Sequence, residues 1–123
     1  NFFTDIIEQQ SISISVNIAD NISLKMNKYL ADTLFLNLIK NAIIHNLKGG
    51  LFEVNFIDNI LILKNSGQNT SHSSVDIFKR FYRDQENKKS LGIGLSIVKR
   101  ICDLYNFKIN YSFEDCHIFK IEI

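Results

Sequence analysis

Only two residues, Asp58 and Asn59, separate the apolar runs 51–57 (LFEVNFI) and 60–64 (ILILK). A connection that short closes an antiparallel hairpin and nothing else, and Asp and Asn both tolerate the positive φ of a type I′ turn. Just before it, from Asn27 to Asn46, apolar residues recur at Leu30, Leu34, Leu38 and Ala42, with a second stripe at Phe35, Ile39 and Ile43. That is the helical period, and Gly49-Gly50 ends it. A helix followed directly by a hairpin must bury its stripe on the sheet, which predicts layers of helix on strand.

The rest of the chain fits the same plan. Residues 11–18 (SISISVNI) alternate polar and apolar, the period of a half-buried strand, and 4–10 (TDIIEQQ) read as the end of a helix with Thr4 as a cap. The serine-rich stretch 66–74 is a loop, 75–82 (VDIFKRFY) a short helix, and 83–89 (RDQENKK) a charged segment. A helix runs from about residue 93 to Tyr105, and 107–113 with 117–123 make a last hairpin. Without a regular βαβ alternation, this order predicts an α+β fold: a two-layer α/β sandwich whose mixed, mostly antiparallel sheet is covered on one face by helices.

At 123 residues and 46% hydrophobic content, residues 1–123 make a single domain with its own core. A formal charge of +1 argues against a chain built to coat nucleic acid or an anionic membrane. Two cysteines, Cys102 and Cys116, form no CxxC pair and no disulfide framework, so a reduced intracellular setting is expected. The chain contains no membrane-length apolar run, and because it opens at Asn1 rather than Met it reads as a piece of something larger or as a processed product.

Three small constellations could carry chemistry. Asn37 and Asn41 stand four apart on one helix face beside the apolar stripe; they are either ligands or a pair of solvated or helix-bridging amides. Gly92 and Gly94 open the helix of 90–105 (SLGIGLSIVKRICDLY), but the third glycine of a dinucleotide fingerprint is Ile97, and the chain has no Walker-type phosphate loop. They make either an anion seat at a helix start or a plain joint where glycine permits tight packing. The run 65–67 (NSG) ends a strand in an amide and a glycine, suited to a heterocycle edge or to a turn.

Taken in order, 34–46 (LFLNLIKNAIIHN), 65–67, 77–83 (IFKRFYR) and 92–99 (GIGLSIVK) resemble the N box, first glycine box, F box and second glycine box of bacterial sensor histidine kinase catalytic domains. That family shares the Bergerat ATP-binding fold with DNA gyrase, a heat-shock chaperone and MutL. The resemblance implies ATP and Mg2+ as cofactors, with Asn41 as the metal ligand and Asn37 where hydrolytic relatives carry a glutamate base. It implies that Asn65 and Gly67 receive the adenine and that Gly92, Gly94 and Leu95 lie at the phosphates. His45 also falls in the nucleotide site, as do Arg80 and Arg83 in or beside a lid that Phe78 and Phe81 anchor. Asn65 replaces a usual aspartate, Ser90 and Asn69 usual glycines, and Ile44 a frequent lysine.

No histidine here has the context of a phosphoacceptor: His45, His72 and His117 are followed by Asn, Ser and Ile. The resemblance therefore implies an acceptor histidine upstream, on a dimerisation domain of the same protein, and a response regulator downstream, with no nucleic-acid or direct membrane contact by this domain. The setting it implies is cytoplasmic, within a protein that is itself free to be an inner-membrane sensor. A degenerate pseudokinase that keeps the fold and binds ATP weakly or not at all is the alternative.

Overall fold

A computed structural model describes residues 2–18, 24–68, 76–78 and 94–123. In chain order these form α1 (Phe2–Gln10), β1 (Ser13–Asn17), α2 (Lys28–Ile44), β2 (Leu51–Ile57), β3 (Ile60–Asn65), a 3₁₀ turn (Asp76–Phe78), α3 (Gly94–Leu104), β4 (Lys108–Phe113) and β5 (His117–Glu122). The five strands lie in the order β1-β2-β3-β5-β4. Only the β1–β2 pair is parallel, because α2 carries the chain back between them; the other pairs are antiparallel. This is the expected α+β arrangement of a mostly antiparallel sheet under helices.

The turn chemistry is as read from the sequence. Asp58 and Asn59 both have positive φ, 53° and 63°, the signature of the hairpin turn that joins β2 to β3. Asn27 caps α2, its side-chain oxygen accepting from the Leu30 N–H at 3.2 Å. Its own N–H donates to the Tyr105 hydroxyl at 2.9 Å, tying the start of α2 to the end of α3.

Leu34, Leu38, Ala42 and Ile43 form the buried stripe of α2. They meet Leu61 and Leu63 of β3 and Phe119 and Ile121 of β5, all buried on the sheet's inner face. α3 adds Val98, Ile101 and Cys102 to this core. Burial disfavours the thiolate of Cys102 most, Asp103 adds to that and Lys99 opposes it, so the thiol is pushed up to about 11 from 9.0. Folding is thus worth less as pH rises from 9 toward 11, because the unfolded thiol loses its proton first. Half-buried Cys116 is expected to react with iodoacetamide in the folded protein while Cys102 stays protected until denaturant is added, as mass spectrometry of the intact protein would read.

Two expectations need correction. Thr4 lies inside α1, which begins at Phe2, rather than at its N-cap. β1 is not half-buried: all five of its residues are exposed, with Ile14 at 47% and Val16 at 63%. Alternation marks which residues share a face, but β1 is the sheet's edge and, among the described residues, no helix packs extensively on it. The 3₁₀ turn falls within the predicted helix 75–82, whose remaining residues lie outside the described ones.

Candidate nucleotide-binding site

Asn37, Asn41 and His45 are spaced four apart along α2 and its C-cap, so they rise along one side of the helix over about 12 Å. Two other elements meet this side at its ends. At the lower end is Gly94, the first residue of α3. A Cβ on Gly94 would lie 2.9 Å from Asn37 Oδ1, so the missing side chain is what lets the start of α3 approach α2. Asn37 Nδ2 donates to the Thr33 carbonyl at 2.8 Å. The amide therefore bridges its own helix and presents its oxygen to Gly94, and both of the simpler readings, bridging amide and packing glycine, apply at this contact.

At the upper end is the turn after β3. Asn65, the last residue of β3, is 1% exposed on the inner face, and its Nδ2 donates to the Ser66 carbonyl at 2.9 Å. A Cβ on buried Gly67 would stand 2.9 Å from the His45 carbonyl oxygen and 2.5 Å from Cδ2 of His117. The turn is thus seated on the end of α2 and the start of β5. His45 itself caps α2, its N–H directed to the Asn41 and Ile43 carbonyls, and its side chain is half-buried.

Asn41 lies midway, half-buried, and among the described residues its side-chain amide has no hydrogen-bond partner. Such an amide is costly unless something takes its oxygen, and an amide oxygen is a hard donor of the kind Mg2+ accepts. Leu95 packs partly buried against the core. Phe78 is buried and meets Phe119 edge-on, with centroids 6.1 Å apart, so the 3₁₀ turn is anchored on the sheet.

The structure thus brings together Asn37, Asn41, His45 and Gly94 with the Asn65–Gly67 turn, and places Phe78 in the core. Arg80, Phe81, Arg83 and Gly92 lie outside the described residues. Sequence reasoning gave no place in the site to His117, whose ring supports Gly67. The available signal was one polar residue on the inner face of a strand otherwise occupied there by Phe119 and Ile121.

Residues 27–121 match the family described as histidine kinase-, DNA gyrase B-, and HSP90-like ATPase. The heme sensor protein HssS of Staphylococcus saprophyticus is 33% identical over 100 residues, which cover 77% of this chain but only 22% of that relative. Among solved structures, the mycobacterial sensor histidine kinase MprB superposes with a TM-score of 0.80 at 19% identity, covering 96% of this chain and 87% of that one. The catalytic domain of the histidine kinase ThkA gives a TM-score of 0.79 at 22% identity, covering 99% and 86%. The pattern of amides on α2, the polar end of β3 and the glycine start of α3 is therefore housed in a fold shared with these catalytic domains, and the chain belongs to the histidine kinase-, DNA gyrase B-, and HSP90-like ATPase family.

Proposed function

We propose that this domain binds Mg2+–ATP and supplies the γ-phosphoryl group for autophosphorylation of a histidine in a two-component sensor kinase. The observation that carries the proposal is the single side of α2 on which Asn37, Asn41 and His45 rise between Gly94 and Gly67. It offers a base end, a metal position and a phosphate end in line. Asn65 Oδ1, its Nδ2 already committed to Ser66, accepts from the exocyclic amine of adenine, beside Gly67. Asn41 gives its amide oxygen to Mg2+, and the metal when bound neutralises phosphate charge. The phosphates lie toward Gly94 and Leu95, where the first N–H groups of α3 have no partner within the helix. The family resemblance further implies that Arg80, Arg83 and Gly92 serve the phosphates and that Phe78 and Phe81 anchor a lid; of these, Phe78 alone is among the described residues.

Transfer to a side chain, rather than to water, follows from Asn37. An amide takes no proton at neutral pH, and this one is held by the Thr33 carbonyl and the Gly94 contact, so Asn37 supplies no base to activate water. The acceptor histidine belongs to a dimerisation domain of the same protein, and a response regulator receives the phosphoryl group next. Calorimetry with a non-hydrolysable ATP analogue tests the reading. Wild type is expected to bind in a Mg2+-dependent way, and Asn41→Ala to lose about ten- to a hundredfold in affinity, the worth of a bond to a charged group. No heat from wild type at saturating Mg2+, or an Asn41→Ala variant that binds equally well, would reject it.

One observation favours the second reading, a pseudokinase: the buried base-end residue Asn65 is neutral. A wild type silent toward nucleotide, with binding restored by Asn65→Asp, would establish that reading instead.

A further inference from the structure

His117 is a buried imidazole, 9% exposed, that the proposed chemistry does not use. It sits on the inner face of β5, in the cross-strand row formed with Asn65 of β3 and Phe113 of β4. Tyr111 lies diagonally beyond, and its hydroxyl is 2.6 Å from His117 Nδ1. The ring is also stacked on Tyr111, centroids 5.8 Å apart at 23°, and met edge-on by Phe113 at 5.0 Å. Stacking fixes the plane of the imidazole, and the hydroxyl fixes its rotation within that plane. A residue needed only to fill apolar space would not require the second constraint, and a polar ring in a core is unfavourable without it.

The opposite edge of the ring is where the consequence falls. A Cβ on Gly67 would stand 2.5 Å from Cδ2 and 2.6 Å from Nε2, so the main chain after Asn65 rests directly on that edge. The His45 carbonyl oxygen reaches the same point, 2.9 Å from that position. The end of α2 and the His117 ring at the start of β5 therefore both close on the turn after β3 at Gly67. Any rotation of the ring would displace Gly67, and with it Asn65, its direct cross-strand neighbour.

We infer that His117 is a positioning residue for the base end of the nucleotide site, acting through Gly67 and Asn65 and held in register by Tyr111. This rests on the reading that Asn65 and Gly67 receive the base. It is tested with Tyr111→Phe, which keeps the ring and drops the hydroxyl, and with His117→Gln, which keeps an acceptor. Binding of adenosine, and separately of tripolyphosphate with Mg2+, is followed by NMR titration, together with the Gly67 backbone amide and the Asn65 side-chain amide resonances.

Tyr111→Phe is expected to weaken adenosine about three- to tenfold, the worth of one hydrogen bond, and to shift both resonances while leaving tripolyphosphate affinity unchanged. His117→Gln is expected to retain part of the adenosine affinity that His117→Ala loses. Equal weakening of both ligands would mean general loosening and would overturn the inference, as would wild-type adenosine affinity in Tyr111→Phe. If wild type bound neither ligand, the nucleotide reading itself would fail. The inference would fall with it, whereas unmoved resonances in Tyr111→Phe, where wild type does bind adenosine, would overturn the inference alone.

Discussion

Gly67→Ala is expected to destabilise the domain by about 1–3 kcal/mol, the usual cost of forcing an extra carbon into a packed site. The reason is space and not backbone conformation, since Gly67 has no positive φ whereas Gly49, at φ 73°, does. The new methyl would stand 2.5 and 2.6 Å from ring atoms of His117 and 2.9 Å from the His45 carbonyl. Neither neighbour can yield easily. The imidazole is pinned by the Tyr111 hydroxyl at 2.6 Å, and the carbonyl belongs to the cap of α2. Gly67→Ala combined with His117→Ala is expected to be less stable than wild type but better than the sum of the two changes, because truncating the ring makes room for the methyl. Denaturant midpoints for the four proteins of this cycle measure it. Strict additivity would show that the glycine is not held against the imidazole at all.

The elements were largely legible in the sequence because their signals are local. A two-residue turn of Asp58 and Asn59 specifies a hairpin wherever it occurs, and a stripe such as Leu34, Leu38 and Ala42 specifies a buried helix face. The failure at β1 has a different origin. Ser13 to Asn17 alternate as an inner strand would, but burial depends on what lies over the sheet, and strand order put β1 at an edge beyond the helices.

The site was legible as an order of motifs and not as contacts. Asn37 and Asn41 announce a polar face four residues apart, but nothing near Asn37 shows that its oxygen meets Gly94, far along the chain. The same holds for His117, joined to Asn65 only through the β3–β5 register. Contacts between distant segments are set by strand order, which local patterning leaves open. Close packing at Asn37 does not in itself stand against the proposed phosphate seat, because Gly94 adds no side chain at the start of α3.

The stability of the core and the occupancy of the site should be measurably linked through α2. Leu38 is 2% exposed and lies one turn from both Leu34 and Ala42, on the helix that also carries Asn37 and Asn41. Leu38→Ala is expected to cost about 2–5 kcal/mol, from lost transfer free energy and the cavity left behind. For a domain of this size, at about 3–6 °C per kcal/mol, that lowers the melting temperature by roughly 6–30 °C. The amides do not move with the deleted methyls so long as the helix stays docked, so the folded variant should bind nucleotide nearly as wild type does. Ligand present at a hundred times its Kd would then return about 2.7 kcal/mol, recovering much of the loss. Thermal melts with and without Mg2+ and the ATP analogue give both numbers. A variant whose melting temperature ligand does not raise, although the same ligand raises that of wild type, would mean that α2 has shifted on the sheet and carried Asn41 out of place.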